Sequence, residues 1–262
     1  MNAIHINKET LDYYYNNVFK LEEFKKVDPC GTVYNLLEHT SEQLDIELGA
    51  LFVAMISWGN RKVICPTALN MLSNEMLWKP SRFILERQYL NSYKNAKNNC
   101  VYRTLNTDTF KTICDNIFKV LSNFKSEAPT LEKIFYGKTT KEIINIICTW
   151  LSPAKVGTMD KSACKRICMY VRWMTRRNYP DFGIWKTRKQ NDLYAIMDVH
   201  VSRLTKDLLK NKRPSWKSCV ELTNIFKSWD NDDPLKYDIA LMTLSDKINS
   251  YSKKTLSMVK YS

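Results

Sequence analysis

Residues Ser162–Arg203 read SACKRICMYVRWMTRRNYPDFGIWKTRKQNDLYAIMDVHVSR, two patterned segments on either side of an irregular connector. The first segment, 162–177, is predicted to be a helix because its apolar residues recur at helical spacing. These residues are Cys164, Ile167, Cys168, Val171 and Met174. The second segment begins at Asp198, a residue type that caps helix N-termini, and predicts a helix over 198–209.

Helical patterns recur along the rest of the chain. Asp45–Ser57 is apolar almost all round, which predicts a buried helix, and Trp216–Trp229 and Leu235–Leu244 carry apolar stripes. Only 6 glycines and 8 prolines occur in 262 residues, which argues against a many-turned β fold, and no strand pair is evident. The sequence predicts an all-α fold, built as one compact unit or as two closely packed lobes.

The charge balance indicates the kind of partner. Lys and Arg number 40 against 27 Asp and Glu, a net charge of +13. This excess favours a polyanion, nucleic acid before membrane, although a basic protein without such a partner is the alternative. The longest apolar run, Leu48–Ser57, is about half a membrane span, and the N-terminus shows no signal-peptide pattern, so we expect a cytoplasmic protein with no membrane partner.

The eight cysteines predict reduced thiols and no metal site. They form no CxxC pair and no Cys/His spacing typical of zinc, and no four of them are spaced like iron–sulfur ligands. We therefore expect reduced thiols, mostly in the core, with no metal and no cofactor.

Lys165 is the candidate nucleophile. It falls in the first turn of its predicted helix, where the partial positive charge of the helix N-terminus disfavours the ammonium form. Partial burial acts in the same direction and would make a neutral amine more accessible. The alternative is an ordinary surface lysine beside Lys161 and Arg166.

Asp198 has two interpretations. Its carboxylate caps the following helix, or it faces a cleft, where it accepts a proton from a lysine or stabilises a cationic sugar. The neighbouring His200 is interpreted as structural.

Together these segments resemble the helix-hairpin-helix DNA glycosylases. A lysine at the start of the helix CKRICMYVRWM and an aspartate in IMDVHVSR match that superfamily, and the 33-residue separation resembles its archaeal 8-oxoguanine glycosylase branch. The chain also looks like an uncharacterised bacterial family related to the superfamily, in which ACKR, FGIWK, MDVHVSR and DPLKYD recur.

The resemblance implies one domain over 1–262, with two helical lobes, a DNA-binding cleft and both termini in the same lobe. It implies a base-excision glycosylase with AP lyase activity that removes an oxidised purine such as 8-oxoguanine. Lys165 would form the Schiff base and Asp198 would assist. The partner would be damaged double-stranded DNA, bound by a monomeric, nucleoid-associated bacterial protein.

The hairpin departs from the superfamily pattern. Its usual Leu-Pro-Gly-x-Gly is replaced by LSPAKVGTMDKSA, which has one glycine, Gly157. Hairpin amides of this kind hold a DNA phosphate. We assign Lys155, Gly157 and Lys161 to DNA binding with Arg166 and Arg203, and keep Lys161 as a second candidate nucleophile.

A second match, LFVAMISWGNRKVI, resembles the loop that fills the space left by a flipped base. Trp58, Asn60 and Arg61 occupy the wedge positions, the alternative being a core tryptophan and a solvated arginine. Phe182 and Trp185 are candidates for stacking on the base, with core packing as the alternative.

Two other functions remain open. The first is a nucleic-acid-binding protein that keeps the glycosylase fold without catalysis. The second is a helical scaffold for acidic proteins.

Overall fold

The computed structural model describes residues 5–94 and 97–259, the last nine of these by their backbone alone. This part of the chain contains thirteen α-helices and one two-stranded antiparallel sheet. The helices are α1 Lys8–Tyr13, α2 Leu21–Val27, α3 Cys30–His39, α4 Gln43–Ile56, α5 Arg61–Asn70, α6 Pro80–Leu85, α7 Thr107–Asn123, α8 Leu131–Ile134, α9 Thr140–Trp150, α10 Lys165–Thr175, α11 Val199–Leu204, α12 Trp216–Trp229 and α13 Lys236–Val259, and the strands are β1 Cys100–Tyr102 and β2 Leu105–Asn106. The predicted helical fold class is confirmed, whereas the expectation of no strand pair is wrong at this hairpin.

Helix α4 lies at the centre of the larger hydrophobic core. Every residue from Leu44 to Ile56 is buried, as the unbroken apolar pattern predicted. The buried carboxylate of Glu47 accepts hydrogen bonds from the backbone N–H of Leu131 at 2.6 Å and from the indole N–H of Trp185 at 2.8 Å. One acid side chain thus caps α8 and fixes the connector after α10, and its own burial is offset by these donors.

A second core cluster joins the two ends of the chain. Ile6 and Leu11 pack in one cluster with residues of α12 and α13, among them Phe226, Leu241 and Leu244. The segment before α11 also enters this cluster through Ala195 and Met197, so it lies between the two cores.

Buried ion pairs hold α10 to the segments around it. Arg176 donates to both carboxylate oxygens of Asp233, at 2.7 and 2.8 Å, and to Asp181 at 3.0 Å. Arg172, one turn earlier, donates to the other oxygen of Asp181 at 3.0 Å. Removing one partner of such a buried pair costs about 3–5 kcal/mol, because the other charge is left without compensation.

The predicted bounds of three helices are wrong. Helix α10 begins at Lys165 rather than at Ser162, because the backbone of Cys164 is left-handed. It ends at Thr175 rather than at Arg177. Helix α11 ends at Leu204 rather than at residue 209. Immediately after this end, the Thr205 hydroxyl donates to the carbonyl of Val201 at 2.8 Å. Helix α13 continues past Leu244 to Val259. None of the helices within the described ranges is both long enough and apolar enough to cross a membrane.

Candidate active site

Lys165 and Asp198 meet although 33 residues separate them in the chain. Lys165 is the first residue of α10, and Asp198 is the N-cap of α11. The ammonium Nζ of Lys165 donates to Oδ2 of Asp198 at 2.6 Å, while Oδ1 accepts the backbone N–H groups of His200 and Val201, both at 2.9 Å. The two interpretations of Asp198 are therefore compatible, because each oxygen has its own partners.

Local backbone geometry places both side chains. Cys164 adopts a left-handed conformation, with φ of 48°, and its N–H donates to the Ser162 hydroxyl, so the chain turns sharply just before Lys165. On the other side, the N–H of Ala195 donates to the Thr223 hydroxyl at 2.9 Å. This buried hydrogen bond fixes the segment before α11, and three residues later Asp198 lies at the edge of a cavity.

The pair is half-buried. The side chain of Lys165 is 40% exposed and that of Asp198 is 23% exposed. Burial alone would raise the pKa of Asp198, but the charge and hydrogen bond of Lys165, with the N–H of Val201, outweigh it and hold that pKa below its ordinary value. The carboxylate therefore stays ionised at neutral pH.

A cavity of about 430 Å³ opens beside this pair, where the two core clusters adjoin. Its apolar wall includes Ile64 and Met169 from one side and Leu241 and Met242 from the other. Its ionisable lining consists of Asp28, Arg61, Lys165, Arg172, Asp198, His200, Asp238 and Asp246. A space of this size and mixed polarity is typical of small-ligand sites.

The loop before α5 contributes Trp58, Asn60 and Arg61 to the same cavity. Asn60 is the N-cap of α5, its side chain accepting the N–H of Lys62 at 2.9 Å. Arg61 donates to both oxygens of Asp246 on α13, at 2.9 and 3.2 Å, which links the loop to the opposite wall. Trp58 is half-buried, so its burial does not decide between a wedge residue and a core tryptophan.

The β1–β2 hairpin packs on this loop, and the sequence did not predict it. The guanidinium of Arg103 lies 4.3 Å from the centre of the Trp58 ring, and the Tyr102 hydroxyl donates to the Trp58 carbonyl at 2.5 Å. A Cβ at Gly59 would collide with Arg103, so the glycine permits this close approach. Strands of three and two residues carry too little alternation for the pattern to be found.

The segment between α9 and α10 holds the predicted DNA contacts outside the cavity. Lys155 and Lys161 are exposed, and Gly157 has φ of +91° with no room for a Cβ beside Ser162. Arg203 is exposed on α11. These four residues are accessible but do not line the cavity.

The guanidinium of Arg166 is held by hydrogen bonds to backbone carbonyls of the protein. It donates to the carbonyl of Met55 at 2.6 Å and to that of Lys155 at 2.9 Å. Burial is the main influence on Arg166 and lowers its pKa to about 10. The side chain therefore ties the hairpin segment to the end of α4, and is less available to a phosphate than the exposed lysines.

Phe182 and Trp185 do not line the cavity, which corrects their assignment to a base pocket. Trp185 is fully buried, with its N–H on Glu47, and Phe182 packs against Tyr34 and Trp173. Backbone hydrogen bonds from both residues to the end of α10 hold the connector in the core.

The cavity floor contains residues to which the sequence gave no role. Arg172 and Asp238 both line it and are almost completely buried. Asp238 closes the segment DPLKYD, which was part of the resemblance and was the available signal. All eight cysteines are free thiols, and six of them are buried.

A family model described as a protein of unknown function (DUF2400) matches residues 28–246. The chain belongs to this family. The matched range contains Lys165, Asp198, the Trp58 loop and every other cavity-lining residue except Asn249. Comparisons with curated proteins and with solved structures give no match.

Proposed function

We propose that this DUF2400 protein is a base-excision DNA glycosylase with AP lyase activity. The observation that carries the proposal is the 2.6 Å contact between the Lys165 amine and the Asp198 carboxylate on the wall of a 430 Å³ cavity. A nucleophile in contact with a potential base, beside a space for a small ligand, is the arrangement expected for covalent catalysis.

Two further features support DNA as the substrate. The net charge of +13 favours a polyanion. Trp58 and Asn60 lie at the cavity on an ordered loop, where a wedge would fill the space left by a base that has swung into the cavity. We propose an oxidised purine such as 8-oxoguanine as the base, and a monomer bound to double-stranded DNA of the nucleoid as the acting form.

The proposed chemistry begins with a proton. Lys165 passes one proton to Asp198 and its free electron pair attacks the sugar C1′, while the glycosidic bond breaks and its electron pair leaves with the base. The base then takes up the proton held by Asp198, which returns to its ionised form. The secondary ammonium on C1′ then passes one proton to the ring oxygen as the C1′–O4′ bond opens, which leaves an iminium and a hydroxyl.

The lyase step follows from that iminium. Loss of a proton from C2′ supplies the electron pair that forms the C2′–C3′ double bond, and the bond from C3′ to the 3′ phosphate oxygen breaks. Water then hydrolyses the imine and releases Lys165. Once it has given up the proton from Lys165, the ionised Asp198 stabilises the positive charge on the sugar-bound nitrogen and the iminium.

Strand cleavage of a duplex containing one 8-oxoguanine, with an abasic duplex in parallel, tests the proposal. We expect the wild type to cut both, and Asp198→Asn to cut at least about 100-fold more slowly while still binding DNA, because proton transfer is lost. Asp230→Asn is the matched control, since Asp230 contacts Lys236 at 2.7 Å in a similar ion pair outside the cavity. Tight duplex binding by a wild type that cuts neither substrate would contradict the proposal and favour non-catalytic binding.

A further inference from the structure

One face of α10 leads from the mouth of the cavity to its floor. Lys165, Met169 and Arg172 are four and three residues apart, so they share a helix face, and all three line the cavity. The Lys165 side chain is 40% exposed and that of Arg172 is 2% exposed. The proposed reacting amine and a buried guanidinium therefore lie at different depths of the same space.

The guanidinium of Arg172 is incompletely paired. Its Nε donates to Asp181 at 3.0 Å, whereas the buried Nη1 has no hydrogen-bond partner among the described residues. Oδ2 of Asp238 lies 4.0 Å from Nη1, close enough for an ion pair but beyond hydrogen-bond reach. A buried N–H without an acceptor in the protein is rare, and such groups are completed by a ligand or by water.

Asp238 supplies a carboxylate at the same place. It lies in the first turn of α13, its side chain is 2% exposed, and its oxygens accept the N–H of Ile196 at 3.2 Å. Each carboxylate oxygen can accept a second hydrogen bond. The cavity lining therefore contains a buried, unpaired donor next to an acceptor that can take a further hydrogen bond.

We propose that Arg172 and Asp238 read the edge of the bound base, and that they select a lactam edge, on which a ring carbonyl lies beside an N–H. Arg172 Nη1 donates to the carbonyl and the Asp238 carboxylate accepts from the N–H. This inference deepens the proposed function, on which it rests, by naming the residues that choose the base.

The chemistry of the bases gives the selectivity its direction. Guanine, hypoxanthine, uracil and 8-oxoguanine carry a lactam edge, whereas adenine and cytosine carry an amino group beside a ring nitrogen that only accepts. On the amino edge the donor would meet Arg172 and the acceptor would meet Asp238, so both contacts become repulsive. A site built for hydrogen bonds rejects such an analogue strongly, since its own polar groups are left unpaired.

Hypoxanthine and adenine are a matched pair for the test, because they differ only at C6 and N1. We measure the dissociation constant of each free base by saturation-transfer NMR at about pH 8.5. Burial is the main influence on Asp238 and raises its pKa to about 7 against the charges of Arg172 and Arg176, with Asp181 reinforcing the rise. Above that pKa the side chain is the carboxylate that the proposal requires.

We expect the wild type to bind hypoxanthine at least about tenfold more tightly than adenine, as one well-placed contact pair provides. Asp238→Asn offers a donor as well as an acceptor, so this preference should fall below about threefold. Arg172→Lys keeps the charge without the planar guanidinium and should reduce the preference for hypoxanthine by a similar factor. It provides the test if Asp238→Asn does not fold. Asp45→Asn changes a buried carboxylate outside the cavity and should keep the wild-type preference.

Equal binding of the two bases by the wild type would overturn the inference, as would no detectable hypoxanthine binding at its solubility limit. A preference that survives in both Asp238→Asn and Arg172→Lys would also overturn it. Because free bases contain no sugar, the result is independent of strand cleavage. A protein that prefers hypoxanthine but cuts no DNA would contradict the proposed enzyme and leave the base-reading floor supported.

Discussion

Each oxygen of the Asp198 carboxylate has a separate task. One accepts the two N–H groups at the start of α11, and the other contacts the amine of Lys165 at 2.6 Å. The cap holds the carboxylate in one orientation, so the oxygen toward Lys165 does not need to be positioned again when a substrate arrives. The capping role of Asp198 was predictable from its place before a helix. Its contact with Lys165 was predicted only through a resemblance, because the spacing of two residues in the sequence does not give their distance in the fold.

The buried Asp238 gives a prediction for pH. Its pKa is raised from 3.8 to about 7, mainly by burial, so between these values the folded state holds a proton that the unfolded state has lost. Raising the pH through this window therefore removes stability, and the loss is complete above the folded pKa. Thermal unfolding should show the melting temperature of Asp238→Asn falling less than that of the wild type between about pH 5 and about pH 8.

Other buried carboxyl groups do not produce this difference in melting temperature between the wild type and Asp238→Asn. The pKa of Asp198 is lowered, so its contribution changes only below the ordinary carboxyl range, and Asp28, whose pKa burial raises, is present in both proteins. Parallel melting curves for the wild type and the variant would show that Asp238 does not titrate in this window.

At the scale of elements, the sequence predicted long amphipathic helices well and short or polar segments poorly. Helix α12 begins and ends at the predicted Trp216 and Trp229, because its stripe is complete and Ser215 caps it. The β1–β2 hairpin was missed because its strands are too short to show a pattern. The extension of α13 past Leu244 was missed because the residues that follow, SDKINS, are mostly polar.

The β1–β2 hairpin supports the wedge loop through the contact of Arg103 with Trp58. Arg103 lies over Trp58, and this exposed cation–π contact contributes about 0.5–1 kcal/mol to holding the wedge loop. Arg103→Ala should therefore weaken duplex binding and slow strand cleavage by about two- to fivefold. Gel-shift affinity and single-turnover cleavage are the measurements.

Arg87→Ala is the matched control for this variant. Arg87 lies 5.2 Å from the ring centre of Phe118 in a comparable contact that does not line the cavity. Equal effects from the two variants would indicate a general loss of charge or stability, and would contradict a specific role of the hairpin in supporting Trp58.

At the scale of the molecule, a charge of +13 and two core clusters with a cavity between them are the main features. Composition was sufficient to predict the charge, and apolar periodicity together with few glycines and prolines predicted the helical class. The sequence left open whether Trp185 stacks on a base or packs in the core, and the structure places it in the core, where a buried acid, Glu47, accepts its N–H. Such a polar partner 138 positions away has no signature in the sequence.

The charge predicts steep salt dependence of duplex binding. If exposed residues such as Lys155, Lys161 and Arg203 contact phosphates, three contacts correspond to a loss of affinity of about 10- to 100-fold between about 50 and 200 mM salt. Lys161→Ala should reduce the slope of log affinity against log salt by about one. Binding that hardly changes with salt would instead favour an acidic protein partner or none.

Borohydride trapping on an abasic or 8-oxoguanine duplex shows whether Lys165 is the nucleophile, because reduction makes the lysine–sugar imine permanent. We expect a covalent protein–DNA adduct with the wild type and with Lys161→Ala, the variant of the neighbouring exposed lysine, and none with Lys165→Ala. An adduct of undiminished yield from Lys165→Ala would contradict the assignment of the nucleophile, and absence of an adduct from the wild type would contradict the Schiff-base mechanism.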